Sequence, residues 1–437
     1  MTRDPMPNAF RPGAVDLPPA EADLVARRQA ALGPAYRLFY QRPLHLVRGE
    51  GVWLYDAEGR AYLDTYNNVA SVGHCHPRVV AAMAGQAAQL ASHTRYLHDG
   101  VLTLAERLLA TLPAAIGHMM FTCTGYEAND LALRIARAAT GGTGIIVTEN
   151  AYHGVTASVA EFSPSLGAGV PLGAHVRTVP PPDPRRLGAD AAAGFAAAVQ
   201  GAIDDLRRHG IKPAVLIVDT VFSSDGVFAA PDLLAGAVAA IRAAGGLFIA
   251  DEVQPGFGRL GQGMWGFARH GVVPDMVSMG KPMGNGYPVA GLALRPEVIA
   301  EFGAHARYFN TFGGNAVAAA TALAVLDVIA DEDLIANAAR TGALFAEGLR
   351  DLASRHPIMG DLRAQGLFLG QDILTPDGAP DAQTCAVLVN GLRDEGVLIS
   401  ATGPAGHVLK IRPPLTFSAD NVAFFLDRLT RVLKRLP

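Results

Sequence analysis

The residue with the most distinctive chemistry in this sequence is a lysine. Of the 36 lysines and arginines only four are lysines, at positions 212, 281, 410 and 434. Unlike arginine, a lysine in a desolvated pocket can lose its proton and become the nucleophilic amine that forms a Schiff base. Lys281 ends a short apolar run, Ser278-Met279-Gly280, and enters a glycine-rich turn. Taken alone it could be a solvated loop lysine, so its neighbours decide the interpretation.

A carboxylate follows a second apolar run. Asp251 ends Leu247-Phe248-Ile249-Ala250-Asp251 and begins the motif Asp251-Glu252-Val253-Gln254. A carboxylate at the carboxyl end of a strand faces the crevice where α/β proteins bind ligands, and it can keep a ring nitrogen protonated. The glycines at 256, 258 and 261 match a dinucleotide fingerprint, but turn residues and no helix follow them. We therefore reject a nicotinamide site.

A phosphate-binding turn is the third chemical signal. Phe121-Thr122-Cys123-Thr124-Gly125-Tyr126 precedes apolar positions 128, 131, 132, 135 and 139, which have helical spacing. A helix is therefore predicted to begin close to Gly125. Its free N–H groups and positive dipole end would bind a phosphate. An ordinary capped helix is the alternative for this motif alone.

The elements that must position these groups indicate an α/β fold. Apolar runs at 215–219, 247–251 and 276–280 lack polar alternation, and a helix is predicted at about 231–244. Strands of this kind are covered on both faces, which is typical of a mostly parallel sheet with helices on both sides. A hairpin is predicted from strands at 44–47 and 52–55, joined by a turn at 48–51.

Four zones follow from this pattern. We predict a disordered tail at 1–20, a segment at 21–66 that packs with the C-terminal domain, a large domain at 67–325 and a smaller α+β domain at 326–437.

Composition excludes several classes of function. Half of the residues are hydrophobic, 17% are charged and the net charge is −4, so we expect a globular protein with no nucleic-acid or membrane partner. The three cysteines and the absence of a secretory leader fit a cytoplasmic location. His74-Cys75-His76 lacks a third ligand nearby, so we predict a structural bend and no metal site.

Together these motifs carry a family resemblance. Over residues 35–430 the chain resembles the class III aminotransferases, fold-type I enzymes that use pyridoxal 5'-phosphate. The most specific feature is Asp251-Glu252-Val253-Gln254 with Lys281 thirty residues after Asp251. The resemblance implies that Lys281 forms the Schiff base with the cofactor and that Asp251 pairs with the pyridinium nitrogen. It also implies that Gln254 contacts the 3-oxygen of the ring.

Further cofactor contacts are implied by the same resemblance. Tyr152 would stack on the pyridine face, with His153 beside it. Thr124 and Gly125 would hold the phosphate, helped by Thr311 from the partner subunit. The protein would therefore be a homodimer with shared active sites, or a tetramer built from such dimers.

Two residues depart from the family's pattern. Tyr126 replaces a small hydroxyl residue that usually bonds the cofactor phosphate, so either its backbone N–H serves alone or its ring reshapes the mouth of the pocket. Asp219 stands where relatives often have a glutamate near the cofactor, and it is included as a cofactor-binding candidate.

The branch of the family is less constrained by sequence. Several segments, including Val408-Leu409-Lys410-Ile411-Arg412-Pro413-Pro414, resemble the ethanolamine-phosphate and phosphohydroxylysine phospholyases. Arg95 and Lys410 are candidate anchors for an anionic substrate tail, and surface salt bridges are the alternative for both.

Three functions therefore stay open. We place first an aminotransferase that moves an amino group from a primary amine or amino acid to a keto acid or aldehyde. A phospholyase that eliminates phosphate and ammonia from an amine phosphate such as phosphoethanolamine comes second. A non-catalytic binding protein with this fold is a remote third.

Overall fold

A computed structural model describes Met6 and residues 8–436 of the chain. The α-helices are α1 (Pro19–Leu32), α2 (Pro77–Ala87), α3 (Asp99–Leu109), α4 (Gly125–Thr140), α5 (Ala157–Ala160), α6 (Pro184–Leu187), α7 (Ala191–Arg208), α8 (Ala235–Ala243), α9 (Pro296–His305), α10 (Ala316–Asp331), α11 (Leu334–Arg355), α12 (Ala382–Asp394) and α13 (Ala419–Leu433). Short 3-10 helices are formed by Pro164–Leu166, Gly266–His270 and Lys281–Gly284.

The strands form three sheets. They are β1 (Leu46–Glu50), β2 (Trp53–Asp56), β3 (Ala61–Asp64), β4 (His118–Thr122), β5 (Gly144–Thr148), β6 (Val176–Val179), β7 (Pro213–Asp219), β8 (Leu247–Asp251), β9 (Met276–Met279), β10 (Ala290–Leu294), β11 (Met359–Gln365), β12 (Phe368–Ile373), β13 (Val397–Leu398), β14 (Ser400–Thr402) and β15 (Val408–Ile411).

The central sheet has seven strands in the order β4-β10-β9-β8-β7-β5-β6. Only β10 runs antiparallel to its neighbours β9 and β4, while β6, β5, β7, β8 and β9 are parallel. The prediction of a mostly parallel α/β sheet is confirmed. Because β4, β5, β7, β8 and β9 point the same way, the loops that follow them meet at one edge of the sheet.

Both faces of this sheet are covered by helices. Along β7, Leu216 and Val218 pack in the cluster with α7, α8 and α10, whereas Val215 and Ile217 pack in the cluster with α4 and α9. Alternate side chains therefore enter two separate cores, which explains why these strands read as uninterrupted apolar runs.

The N-terminal and C-terminal segments share a sheet. Strands β1, β2 and β3 form an antiparallel meander, and β13 adds in parallel to β3. The remaining C-terminal strands form an antiparallel sheet in the order β11-β12-β15-β14.

The hairpin differs from its predicted form. Arg48, Gly49 and Glu50, expected in the turn, pair with Tyr55, Leu54 and Trp53. The turn instead lies at Gly51, whose φ of 56° needs the left-handed region that glycine tolerates best.

Other predicted boundaries also need correction. The described residues of the predicted disordered tail make specific contacts, since Asn8 is buried and its carbonyl accepts the Tyr40 amide at 2.7 Å. Residues 1–5 and 7 lie outside the described part. The boundary at 325 falls inside α10, because the apolar helical pattern continues without a break. The helix expected at 231–244 begins at Ala235.

Among the described helices, none has both the length and the apolar character needed to cross a bilayer.

Candidate active site

A cavity of about 360 Å³ lies where the loops after the central strands meet. Its lining includes nine of the twelve residues proposed from sequence: Thr124, Gly125, Tyr126, Tyr152, His153, Asp219, Asp251, Gln254 and Lys281. These residues end or follow β4, β5, β7, β8 and β9, so the parallel arrangement of those strands brings them together from 158 residues of sequence (124 to 281, counted inclusively). Ligands of α/β proteins bind at such an edge.

Lys281 enters the cavity from the turn after β9, at the start of a short 3-10 helix. The backbone there approaches α4 closely, because a Cβ added to Gly280 would lie 3.2 Å from the Gly125 Cα. Burial lowers the pKa of the Lys281 amine to about 8, helped by the positive charge of Arg412 and opposed by Asp251 and Asp219. A substantial fraction of the amine is therefore neutral near physiological pH, as a nucleophile or a base requires.

This pKa gives a pH-dependent prediction. Acetylation of Lys281 in the cofactor-free protein should reach half its maximal rate at about pH 8 and slow as the pH falls, because only the neutral amine reacts. Mass spectrometry of peptides labelled across a pH series measures this, with the exposed Lys434 as internal comparison. A midpoint above pH 10 for Lys281 would contradict the desolvated environment.

Asp251 is buried and held by three donors. Its Oδ2 accepts from His153 Nδ1 at 2.7 Å and from Asn129 Nδ2 at 3.0 Å, and its Oδ1 accepts the Val253 amide at 3.1 Å. Donors on both oxygens fix the orientation of the carboxylate. Asn129, on α4, also donates to the His153 carbonyl at 2.8 Å and so fixes the loop that carries His153. Sequence reasoning missed Asn129, although it faces the sheet on the predicted helix.

The start of α4 leaves backbone donors for an anion. Thr124 and Glu127 form a capping box, in which the Glu127 carboxylate accepts the amides of Cys123 at 2.9 Å and Thr124 at 2.8 Å. The next two amides, of Gly125 and Tyr126, are the first two in the helix and have no partner within it. They lie at the cavity with the positive end of the helix dipole. This arrangement suits a phosphate.

Close packing requires a glycine at position 125, the first residue of α4. A Cβ at this position would lie 2.7 Å from Val253 Cγ2, and Val253 belongs to the loop that follows Asp251. The phosphate-binding turn and the carboxylate loop are therefore in direct contact, and the spacing between the two is fixed by the absence of a side chain.

Tyr126 and Tyr152 both line the cavity. Burial raises the pKa of the Tyr152 phenol, with a smaller contribution from nearby Tyr126. The phenol of Tyr152 is therefore neutral across the physiological range and presents a flat, apolar ring to the pocket.

Gly154 packs directly against Tyr126 and fixes the position of its side chain. A Cβ at Gly154 would lie 2.0 Å from the Tyr126 Cβ, and its φ of 139° is unfavourable for other residues. We expect Gly154→Ala to lower the free energy of unfolding by about 1–3 kcal/mol, because backbone and ring must both shift. Urea unfolding measures this, with Gly169→Ala as control, since a Cβ there meets nothing within 4 Å. Equal stabilities for the two variants would contradict the packing argument.

Gln254 belongs to a chain of hydrogen bonds beside the cavity. Arg412 Nη1 donates to its Oε1, and its Nε2 donates to Ser223 Oγ at 2.6 Å. Ser223 Oγ donates to Asp219 Oδ2, and Asp219 Oδ1 also accepts the Val221 amide at 3.0 Å. Burial raises the pKa of Asp219, while its bond from Ser223 opposes this shift. Sequence reasoning missed Arg412 and Ser223 as site residues, because contacts between distant parts of the chain bring them together with Gln254.

Three candidates lie outside this cavity. Thr311 is exposed, in a segment without regular structure. Arg95 is also exposed, with its guanidinium 3.8 Å from the centre of the Phe309 ring. Lys410 is buried on β15, and its Nζ lies 5.8 Å from the centre of the Phe368 ring. Burial, with repulsion from Arg412 and Lys281, lowers the pKa of Lys410, and Asp219 opposes the shift.

The histidines of the His74-Cys75-His76 turn have carboxylate partners. His74 Nε2 contacts Asp64 Oδ2 at 2.7 Å, and His76 Nε2 contacts Glu332 Oε1 at 3.0 Å. Within Met6 and residues 8–436, no three His, Cys, Asp or Glu side chains are grouped to hold a metal ion.

The fold and the cavity define a class of enzyme that comparison with known proteins identifies. The profile of the family "Aminotransferase class-III" matches residues 39–433, so the chain belongs to this family. Its members are enzymes that depend on pyridoxal phosphate. The cavity fits that cofactor, because it offers an amine, a buried carboxylate, a flat phenol and a helix start with free amides.

Individual relatives carry two kinds of name. An "Alanine--glyoxylate aminotransferase 2-like" protein of Drosophila melanogaster is 38% identical, over 93% of this chain and 86% of its own. "Ethanolamine-phosphate phospho-lyase homolog 1" of Caenorhabditis elegans is 35% identical, over 95% of this chain and 94% of its own. A solved phospholyase from Arthrobacter in complex with phosphoethanolamine is 43% identical, with a TM-score of 0.92, and the match covers 95% of this chain and 100% of that one.

Proposed function

We propose that this enzyme is a phospholyase that eliminates phosphate and ammonia from a small amine phosphate such as phosphoethanolamine. The observation that carries the proposal is the similarity to the Arthrobacter phospholyase, at 43% identity and a TM-score of 0.92 over the whole of that chain. This choice reverses the order in which the sequence alone placed elimination and transamination.

We propose cofactor roles for the residues around the cavity. Lys281 would hold the cofactor aldehyde, Asp251 the ring nitrogen, Gln254 the 3-oxygen, and Tyr152 the ring face. The amides at the start of α4 would hold the phosphate. Thr124, Asp219 and His153 support these groups from the positions described above. When bound, pyridoxal phosphate supplies an acceptor for the electrons released from the carbon that bears the amine.

The residues of the chain would then direct the proton and the leaving group. Lys281 Nζ, partly buried and neutral in part, would remove the proton from the carbon that bears the amine. Asp251 would hold the ring nitrogen through its carboxylate, which His153 and Asn129 fix at Oδ2. The C–O bond on the neighbouring carbon breaks, and phosphate leaves with its electron pair. Water then completes the balance: phosphoethanolamine and water give acetaldehyde, ammonia and phosphate.

Lys410 is the proposed electrostatic support for an anionic substrate tail. It is buried on β15 and it interacts with Asp219, which lines the cavity. In its charged form, which Asp219 favours, a buried Lys410 attracts a phosphate more strongly than an exposed cation would, because solvent screens it less.

We further propose that Thr311 and Arg95 serve the site of a second subunit. Both are exposed in one chain, and the Arg95 guanidinium lies on Phe309, two residues before Thr311. Large apolar side chains are exposed around them, with Leu97 at 97%, Tyr96 at 70% and Phe312 at 68%. Exposed apolar patches mark interfaces, so we infer a homodimer with shared sites. Light scattering should give the mass of a dimer or a multiple of it; a monomer would contradict this inference.

The test of the function is phosphate release from phosphoethanolamine with every keto acid omitted. The proposal predicts continuous release over many turnovers per site, and Lys410→Met should raise the KM for phosphoethanolamine about tenfold through weaker attraction of the phosphate. Ethanolamine with inorganic phosphate controls for background. No release above that of Lys281→Ala would rule out the lyase.

Transamination is the second candidate, favoured by the relatives named as alanine–glyoxylate aminotransferases. It would use the same proton removal by Lys281, with a keto acid or aldehyde as the second substrate that accepts the amino group. Alanine with glyoxylate tests it: glycine and pyruvate formation faster than phosphate release would place transamination first.

A further inference from the structure

Arg412 is a buried cation with an unusual partner. It is 7% exposed, and its guanidinium lies 4.5 Å from the centre of the Tyr66 ring. Within the described residues, its guanidinium donates a hydrogen bond to an amide oxygen, that of Gln254, and it takes part in no ion pair within 4.0 Å. Its backbone amide is fixed by the Thr65 carbonyl at 2.9 Å. The guanidinium is therefore held in place by backbone and ring, beside a residue of the cavity.

The hydrogen bonds that run from Arg412 to Asp219 all have the same direction, because arginine only donates and a carboxylate oxygen accepts. An arginine can only donate, so the Gln254 oxygen must face Arg412 and its NH₂ group must face the other way. That NH₂ group donates to Ser223 Oγ at 2.6 Å. Ser223 in turn donates to Asp219, which also accepts the Val221 amide at 3.0 Å and the Ser223 amide at 3.3 Å. One N–H of Gln254 is left for the cavity that this residue lines.

We propose that Arg412 is a positioning residue that fixes the amide of Gln254, through the chain Arg412–Gln254–Ser223–Asp219, so that it presents a donor and not an acceptor to the cavity. A free glutamine can turn its amide by half a rotation at little cost, which would point its oxygen at an oxygen of the ligand. Arg412 prevents that rotation, because the NH₂ group of the turned amide would face the N–H donors of the guanidinium and no hydrogen bond could form. The inference rests on the proposed contact between Gln254 and the ring's 3-oxygen.

A second effect of Arg412 provides an independent readout. Its charge is the second largest cause of the lowered pKa of Lys281. Removing the charge should therefore raise the pH at which acetylation of Lys281 reaches half its maximal rate. Removing the Gln254 amide should leave that pH unchanged.

A double-mutant cycle on cofactor affinity tests the positioning role. The Kd of the cofactor-free protein for pyridoxal phosphate is measured for the natural protein, Arg412→Met, Gln254→Ala and the double variant. We expect Arg412→Met to weaken binding about tenfold, on the scale of one hydrogen bond to the ligand, and to have a clearly smaller effect once Gln254 is alanine, where only its influence on the Lys281 amine remains. Additive effects, or an unchanged Kd in Arg412→Met, would overturn the proposal.

Two further variants keep the test decisive if Arg412→Met folds poorly. Gln254→Glu retains an acceptor for Arg412 but removes the N–H donor, so it should weaken cofactor binding at least as much as Gln254→Ala; natural affinity would overturn the proposal. Arg393→Met removes another buried arginine, one that contacts Asp394 and the Pro43 carbonyl and does not line the cavity, and the Kd of this variant should be unchanged. Because every readout is binding or labelling, failure of the lyase assay leaves this result standing.

Discussion

Replacing Lys281 with alanine is expected to lower turnover by at least about 10⁴-fold, because one side chain provides both the amine for the cofactor and the base for the substrate. The structure supports this dual role, since Lys281 reaches the cavity with a pKa lowered to about 8 by burial. Steady-state kcat with phosphoethanolamine, or with an amino donor and a keto acid, measures the loss.

Lys281→Arg is the matched variant for this experiment. It keeps the positive charge and much of the length but cannot supply a neutral amine. We expect it to be as inactive as Lys281→Ala while retaining the thermal stability of the natural protein. Activity above about one hundredth of the natural rate in either variant would contradict the assignment, since base catalysis alone is worth about 10²–10⁴.

Replacing Asp251 with asparagine is expected to lower kcat by about 10³-fold, because the variant lacks a charge that acts in the transition state. The asparagine oxygen can still accept from His153, so the pocket should keep its shape while losing the carboxylate that would hold the ring nitrogen. Steady-state kinetics and the pH dependence of the cofactor's absorption band measure the change.

Asp225→Asn provides the control. Asp225 is also buried, has a pKa raised by burial to about 6, and accepts from Thr148 Oγ1 at 2.6 Å, but it does not line the cavity. We expect Asp225→Asn to alter stability and leave kcat within about threefold, because the change lies away from the reacting atoms. Equal losses of kcat in the two variants would contradict a specific role for Asp251.

Local patterns in the sequence were enough to predict the strands and the helix start that carry this site. The apolar runs at 247–251 and 276–280 correspond to β8 and β9, and α4 begins at Gly125 as its spacing predicts. These features depend on short-range periodicity and capping, which a sequence records directly.

Features that depend on distant contacts could not be predicted in this way. Arg412 lies 158 positions from Gln254, and no local motif connects them. The predicted hairpin turn was misplaced because polar residues next to Gly49 resembled a loop, whereas cross-strand pairing extends β1 to Glu50. Thr311 and Arg95 do not reach the cavity of their own chain, so their proposed roles depend on a second subunit.

The most direct test of phosphate elimination is a ³¹P NMR time course of the enzyme with excess phosphoethanolamine and no keto acid. Elimination predicts that the substrate resonance is replaced by orthophosphate over many turnovers, with one acetaldehyde formed for each phosphate, while the cofactor keeps its aldehyde absorption. An unchanged substrate resonance, together with a single conversion of the cofactor to its amine form, would contradict the account and place the enzyme among the transaminases.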